Sequence, residues 1–130
     1  MTEPEAREFC DAFLAAWTGN RPAALLAFYA EDAFYRDPAR PKGLRGRAEM
    51  APYFSKLLAA NPEWVWTRVE LHPTAAGFTL KWHATIPLGG AVVEEDGLDI
   101  VEVVDGRITR NEVYFDRTAM SQAAGARKAS

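Results

Sequence analysis

Two aspartates lie in apolar stretches, where a carboxyl group can take part in acid–base chemistry. Asp37 ends the aromatic-rich stretch 33–37 and precedes Pro38, and Asp99 lies in the apolar run 98–104. Burial in an apolar cavity raises the pKa of a carboxyl group toward the range that suits proton abstraction next to a carbonyl. If both aspartates face one cavity, the chain offers two carboxyl groups for proton transfer.

Each aspartate also has an ordinary structural interpretation. An Asp-Pro pair commonly begins a turn, so Asp37 could be a solvated turn residue. Carboxylates are depleted in strands and are costly when they are buried without a partner. Asp99 could therefore form a cross-strand ion pair, with Arg110 or Lys81 as its partner. The sequence leaves both alternatives open.

Three helices are predicted from the 3.6-residue spacing of apolar residues. Thr2 and Glu5 have the spacing of a capping box, which marks the start of the first helix. Pro52 lies inside the third predicted helix and should kink that helix or delay its start. The helices are predicted between Thr2 and Gly19, between Asn20 and about Phe28, and between Gly46 and Asn61.

A short strand is predicted over 33–37, and the Pro and Gly residues of 38–43 predict a loop after it. From Glu63 onward the apolar period is two, which predicts strands at about 63–72, 77–87, 91–104 and 107–116. The pairs Gly89-Gly90 and Asp105-Gly106 are typical of hairpin turns. Helices that precede a curved antiparallel sheet make an α+β fold, and a strongly bent sheet covered by helices forms a cone with an apolar pocket.

The strand at 77–87 has two different faces. Trp82 lies on its apolar face, which is predicted to point inward, whereas Lys81 and His83 lie on the opposite face and are predicted to point outward. His72 is interpreted as a structural residue at a strand end. Because neither histidine has a second ligand at a spacing typical of metal sites, no metal is expected.

The composition is typical of one globular domain. The chain has 130 residues, of which 48% are hydrophobic and 25% charged, and it predicts a domain over 1–120 with a flexible tail over 121–130. A net charge of −3 provides no basic field for nucleic acid. The single cysteine, Cys10, fits a cytoplasmic setting, the charged N-terminus is unlike a signal peptide, and no apolar run suggests a membrane span.

The order of elements and several short motifs resemble the nuclear-transport-factor-2-like superfamily, and within it the SnoaL-like and ketosteroid-isomerase-like enzymes. The first motif is residues 28–33 followed by Asp37-Pro38, with Gly46-Arg47 at the same distance along the chain as in the isomerases. The second is residues 98–100 before the turn at 105–108. The resemblance covers about residues 5–117. It implies a cone-shaped fold, with three N-terminal helices on a strongly curved antiparallel sheet, and a homodimer formed through the sheet face.

The resemblance also implies roles for three polar residues. Asp37 matches the general base of the isomerases, and Asp99 matches the protonated aspartic acid of their oxyanion hole. Ketosteroid isomerase is itself a standard example of two carboxyl groups with opposite protonation states. Tyr29 matches a tyrosine of the isomerases' hydrogen-bonding network.

Two positions depart from the isomerase pattern. Phe13 replaces the tyrosine that donates to the oxyanion, and Phe54 replaces another network tyrosine. The adjacent Tyr53 keeps a phenol nearby and is expected to be one of the residues that bind the ligand. Loss of an oxyanion donor typically costs about 3–4 kcal/mol of transition-state stabilisation. The chain is therefore not expected to be a steroid isomerase proper.

The function expected from these features is a cofactor-independent, acid–base isomerisation, cyclisation or elimination on an apolar carbonyl compound. Asp37 would abstract the proton and Asp99 would donate to the enolate, while Tyr29 and Asn111 orient the ligand. Asn111 could equally be a satisfied core amide. The alternatives are a non-catalytic small-molecule-binding protein and a dimerisation module with a filled cone. Apolar walls are expected from Phe13, Trp17, Phe54, Trp82 and Phe115.

Overall fold

The structure is a computed structural model that describes residues 1–129, with side chains up to residue 123. It contains four helices and six strands within these residues. In chain order they are α1 (Glu3–Ala15), α2 (Pro22–Leu26), β1 (Tyr29–Asp37), β2 (Arg40–Arg45), α3 (Gly46–Ala60), β3 (Val65–Pro73), β4 (Gly77–Leu88), β5 (Ala91–Val104), β6 (Arg107–Tyr114) and α4 (Thr118–Ala129).

The first helix begins at the predicted capping box. The Thr2 hydroxyl accepts from the Glu5 amide at 3.3 Å, and the Glu5 carboxylate accepts from the Thr2 amide at 3.0 Å. Helix α2 ends at Leu26 and β1 begins at Tyr29, so the prediction that the second helix runs to about Phe28 was slightly too long. Residues 29–32 belong to β1, which is therefore longer than the predicted strand at 33–37.

Helix α3 begins at Gly46, as predicted, and passes through Pro52 without a later start. A proline inside a helix removes one backbone hydrogen bond, but α3 buries Met50, Phe54 and Leu58 completely. A hydrogen bond connects the start of α3 to β1: the Arg47 side chain donates to the Tyr29 carbonyl at 2.9 Å. This contact explains why an Arg follows Gly46 at this distance from Tyr29.

The six strands form one curved sheet in the order β2-β1-β6-β5-β4-β3. The meander from β3 to β6 is antiparallel, as predicted, whereas β1 pairs with β6 in parallel. The sheet is therefore mixed. The predicted loop over 38–43 is also wrong, because only Pro38 and Ala39 form a turn before β2. As an edge strand, β2 tolerates Pro41 without losing a ladder hydrogen bond.

The helices do not all precede the sheet. Helices α1 and α2 come before β1, but α3 follows β2, and α4 lies at the other end of the chain. Helix α1 packs on β3, α3 packs on β1, and α4 packs on β4 and β5. Helix α4 includes most of the residues 121–130 for which a flexible tail is predicted; that prediction concerns motion, and it stays a prediction.

The core lies between the helices and the inner face of the sheet. Along β4 the alternation is as predicted: Trp82 is buried with its apolar neighbours, whereas Lys81 and His83 lie on the outer face. On that face the His83 ring contacts the Asp96 and Glu94 carboxylates. Among the described helices, none combines the length and the apolar character that a membrane crossing requires.

Candidate functional site

A partly open cavity of about 410 Å³ lies between the helices and the inner face of the sheet. This volume is in the range of small-molecule sites. Most of the wall is apolar and aromatic, with a few polar groups. The residues that line it are Leu14, Trp17, Tyr35, Asp37, Ala39, Tyr53, Leu57, Trp64, Trp66, Trp82, Asp99, Val113, Phe115, Arg117, Met120 and Ser121. Both predicted catalytic aspartates therefore face the same cavity.

Asp37 is at once a turn residue and a cavity residue. One oxygen, Oδ1, accepts from the backbone amides of Ala39 and Arg40 at 2.8 and 3.0 Å, which is the geometry of an Asx turn. The other oxygen, Oδ2, accepts from the phenols of Tyr35 and Tyr53 at 2.7 and 2.6 Å. Four donors thus surround a side chain that is only 6% exposed. Asp37 is therefore a turn residue that lies in the pocket, and its interpretation as a solvated turn residue is wrong.

The two tyrosines reach Asp37 from different elements. Tyr35 lies two residues earlier on the same face of β1, and Tyr53 projects from α3. Burial and the Asp37 carboxylate raise the pKa of Tyr35 well above its usual value. Burial, followed by the hydrogen bond to Asp37, also raises the pKa of Tyr53. Both phenols therefore keep their protons and act as donors.

Asp99 lies on β5 and is buried, with one donor on each oxygen. The Trp82 indole donates to Oδ1 at 2.7 Å, and the Asn111 amide donates to Oδ2 at 3.1 Å. Burial raises the pKa of Asp99 to about 6, although both hydrogen bonds act in the opposite direction. A carboxyl group with this pKa exchanges its proton readily near neutral pH.

The alternative of an ion pair for Asp99 is wrong. Arg110 pairs with Glu102 and Glu112, and Lys81 pairs with Glu70, all of them away from the cavity. The buried carboxyl of Asp99 is instead satisfied by two neutral donors. The absence of a cation beside it is the reason that burial dominates its pKa.

Tyr29 and Asn111 lie behind the cavity wall, in a series of hydrogen bonds that ends at Asp99. The Tyr29 phenol donates to the Asn111 side-chain oxygen at 2.8 Å, and the Asn111 amide then donates to Asp99. Both residues are fully buried. These contacts orient Asp99, whereas the sequence predicts that the two residues orient the ligand directly.

The predicted aromatic wall is present only in part. Trp17, Tyr53, Trp82 and Phe115 line the cavity, as the sequence predicts. Phe13 and Phe54 do not line it, because they are fully buried beneath Trp17, with ring centroids 6.0 and 5.3 Å from the Trp17 ring. They support the wall from behind.

Several lining residues were missed by the sequence prediction. Tyr35 could have been found, because it shares the strand face of Asp37. Trp64 and Trp66 lie in the predicted strand at 63–72, and the predicted flexible tail included Ser121. The buried indole N–H of Trp66 has no hydrogen-bond partner among the described side chains. None of these four residues carries a sequence motif of its own.

Comparison with known proteins identifies the family. A model of the SnoaL-like domain matches residues 10–111. The chain belongs to the SnoaL-like domain family. It is also 28% identical over 104 residues to a steroid Δ-isomerase of Nocardioides simplex, covering 79% of this chain and 83% of that protein.

Solved structures share the fold at low sequence identity. One is a hypothetical protein of Catenulispora acidiphila with a ketosteroid isomerase-like fold, in complex with trimethylamine; the TM-score is 0.80, the identity 21%, and the match covers 91% of this chain and 92% of that one. Another, from Jannaschia sp., is described as a candidate SnoaL-like polyketide cyclase; the TM-score is 0.79, the identity 12%, and the coverage 95% and 94%. These likenesses identify the fold alone.

The SnoaL-like cavity has no evident place for a metal ion. Within the part of the chain that the structure describes, no three His, Cys, Asp or Glu side chains are grouped as metal ligands. The one cysteine, Cys10, is buried in α1, and burial raises the pKa of its thiol to about 12. A thiol in this environment is not a nucleophile.

Proposed function

We propose that this SnoaL-like protein catalyses proton transfer on an apolar carbonyl compound, with Asp99 as the group that takes up and returns the proton. The observation that supports this most strongly is the state of Asp99: it is buried in the cavity wall, accepts only two hydrogen bonds, and has a pKa of about 6. A base with this pKa is suited to proton abstraction next to a carbonyl at neutral pH.

Asp37 takes a different role in this proposal. Its carboxylate accepts four hydrogen bonds from the protein itself, so its lone pairs are already occupied. To act as the base, Asp37 would first have to lose donors. Asp37 instead fixes Tyr35 and Tyr53 in the cavity wall, and the assignment of the base moves from Asp37 to Asp99.

The phenol of Tyr53, the more exposed of the two, is the proposed donor to the ligand's carbonyl oxygen. A phenol has a single O–H, so Tyr53 would turn from Asp37 to the ligand while Asp37 keeps three donors. Tyr53 would then supply the hydrogen bond that is missing at Phe13, where the isomerases have a tyrosine. An oxyanion donor contributes about 3–4 kcal/mol of transition-state stabilisation in other enzymes. Isomerisation, cyclisation and elimination are all consistent with this arrangement, because each can begin with loss of a proton next to a carbonyl.

The direct test is exchange of α-protons for deuterium in 2-tetralone and a panel of related apolar ketones, followed by NMR. The wild-type protein should accelerate the exchange, and Asp99→Asn should reduce the rate at least 100-fold without weakening ketone binding. Asp37→Asn should lower the rate less, because it alters only the hydrogen bonds that hold the Tyr35 and Tyr53 phenols in place. Asp96→Asn, an exposed aspartate on the outer sheet face, is the matched control and should leave the rate unchanged.

Two outcomes would contradict this proposal. If Asp99→Asn exchanges at the wild-type rate while Asp37→Asn is inactive, Asp37 is the base, as the resemblance to the isomerases implies. If no ketone is exchanged by the wild-type protein, the chain is not an enzyme of this class.

A non-catalytic binding protein is the second candidate, and one observation favours it. The Tyr35 and Tyr53 phenols are already paired with Asp37, so the polar part of the cavity is satisfied without a substrate. An apolar ligand retained through purification, with no exchange of any ketone, would support this function over catalysis.

A further inference from the structure

Arg117 places a positive charge at the opening of the cavity. It is exposed, yet its side chain also forms part of the cavity lining. Its guanidinium donates to the Pro38 carbonyl at 3.2 Å and to the Ser121 hydroxyl at 3.3 Å. Both partners are neutral, so these contacts orient the guanidinium group without compensating its charge.

Arg40 provides a second positive charge at the same opening. Its guanidinium lies 4.9 Å from the centroid of the Tyr53 ring, stacked on a residue that lines the cavity. The charges of Arg40 and Arg117 both lower the pKa of the Tyr53 phenol, against the larger effect of burial, so both cations lie near this phenol. The turn at Pro38 and Ala39 connects them, since Arg40 follows it and Arg117 donates to it.

Neither guanidinium forms an ion pair within the part of the chain that the structure describes. The other cations include several that do: Arg7, Arg68 and Arg110 each contact a carboxylate. Near the opening, Asp37 is buried and accepts four other donors, and Asp116 accepts from the Thr118 amide at the start of α4. Two uncompensated cations therefore lie beside an apolar cavity in a chain whose net charge is −3.

We propose that the natural ligand is an apolar carboxylate, whose ring-sized body lies against the tryptophans of the cavity and whose carboxylate pairs with Arg117 and Arg40 at the opening. This inference rests on the proposed function and names its substrate class. Guanidinium groups match the planar shape of a carboxylate and can donate two parallel hydrogen bonds to it. The deeper part of the same ligand would carry the carbonyl that Asp99 and the Tyr53 phenol act upon.

The location of the charges keeps the cost of desolvation low. Arg117 and Arg40 are exposed, so an ion pair at the opening would remain in contact with water. The apolar body supplies affinity, and the cations select the ligand and fix its direction of entry. The carboxylate is therefore expected to face the solvent while the reacting carbonyl faces Asp99.

Isothermal titration calorimetry with three probes of one shape tests the inference without any need for turnover. The probes are 2-naphthoate, the neutral 2-naphthamide and the cationic 2-naphthylmethylamine. The wild-type protein should bind 2-naphthoate at least tenfold more tightly than 2-naphthamide, and higher salt should weaken only the binding of 2-naphthoate.

Variants identify the responsible side chains. Arg117→Gln should weaken 2-naphthoate binding about tenfold and change 2-naphthamide binding less than twofold, and Arg117→Lys should recover part of the loss. Arg40→Gln should act in the same direction. Arg7→Gln is the matched control, since it removes the same charge from the exposed face of α1 and should change neither affinity.

The outcomes separate this inference from the proposed function. Equal binding of 2-naphthoate and 2-naphthamide, or tighter binding of the amine, would overturn the carboxylate assignment and leave the cavity and Asp99 as proposed. An anion preference that survives both Arg117→Gln and Arg40→Gln would also overturn it. Binding of none of the three probes would contradict the small-molecule site itself, and with it both proposals.

Discussion

Asp37 and Asp99 face the same cavity but differ in how many donors each of them accepts. Asp37 accepts four hydrogen bonds and holds two phenols in place, whereas Asp99 accepts two from neutral donors. The number of donors, more than position in the chain, decides which carboxyl group is able to accept a proton from a ligand. This difference is visible only when side-chain contacts are known.

The raised pKa of Asp99 predicts a specific dependence of stability on pH. The folded protein holds this proton up to about pH 6, whereas the ordinary pKa of an aspartate is 3.8. The unfolded state therefore releases the proton first, and the contribution of Asp99 to the free energy of unfolding falls as pH rises from about 4 to about 6. The total fall should be about 3 kcal/mol.

Urea unfolding of wild type and Asp99→Asn between pH 4 and pH 7.5 measures this contribution. The difference between the two free energies of unfolding should change in favour of the variant as pH rises, and then stay constant above about pH 7. Other titrating groups, such as His83, are present in both proteins and cancel from the difference. A difference that is constant over the whole range would show that Asp99 titrates normally.

At the scale of single residues, the sequence identified the two carboxyl groups but not their partners. Polar residues in apolar strands, together with the resemblance, were sufficient to select Asp37 and Asp99. The phenol of Tyr35 could have been added, because it lies on the same face of β1 as Asp37. Tyr53 was expected to bind the ligand, but its hydrogen bond to Asp37 was not foreseen, since the packing of α3 against β1 is a tertiary property.

At the scale of elements, a bulge in β6 brings Asn111 to Asp99. Near the turn Val104 lies opposite Arg107, but the register shifts between Glu102 and Val103, because Thr109 is an extra residue in β6. Beyond the shift Val101 lies opposite Asn111, and both side chains point inward. Without the extra residue Asn111 would lie opposite Ile100, whose side chain points outward. The turn Asp105-Gly106 could be predicted, but the bulge could not.

Gly97 in β5 is required by the packing of Trp82. The two residues are directly opposite each other, and a Cβ atom at position 97 would lie 2.2 Å from the Trp82 ring. Gly97→Ala should therefore push the indole away from Asp99, break that hydrogen bond, and destabilise the fold by about 1–3 kcal/mol.

Near-UV circular dichroism and urea unfolding would detect this change. The tryptophan signal and the unfolding midpoint should both decrease in Gly97→Ala. Glu95→Ala is the matched control, because Glu95 lies two residues earlier on the same strand face and is only half-buried. An unchanged tryptophan signal in Gly97→Ala would mean that the indole is not held against β5.

At the scale of the whole molecule, the outer face of the sheet carries exposed apolar side chains. Leu98 and Tyr114 lie opposite each other on β5 and β6, with exposed fractions of 47% and 39%. Exposed apolar side chains next to charged residues are typical of protein interfaces. We propose that two copies of the chain pair through this face, as the resemblance implies.

Light scattering coupled to size-exclusion chromatography tests the dimer. The wild-type protein should have twice the mass of one chain, and Leu98→Arg should have the mass of a single chain at the same concentration. Ala15→Arg adds the same charge to an exposed position on α1 and should leave the dimer intact. A wild-type protein with the mass of one chain would contradict the proposal.

The parts of the fold that could not be predicted are those that depend on distant contacts. The alternation of apolar residues predicted the meander from β3 to β6, and the hairpin turns predicted its connections. Strand β2 was missed because Pro41 and Gly43 are loop residues by propensity, and only pairing with β1 makes them a strand. Helix α4 was missed because its small residues form no apolar pattern, and its contacts with β4 and β5 are tertiary.

The dependence of deuterium exchange on pH tests the central claim most directly, that Asp99 transfers the proton. The rate for 2-tetralone with the wild-type protein should rise as pH increases toward about 6, because Asp99 accepts a proton only when ionised, and should level off above that value. A rate that does not change between pH 4.5 and 8, or the same inflection in Asp99→Asn, would contradict the claim.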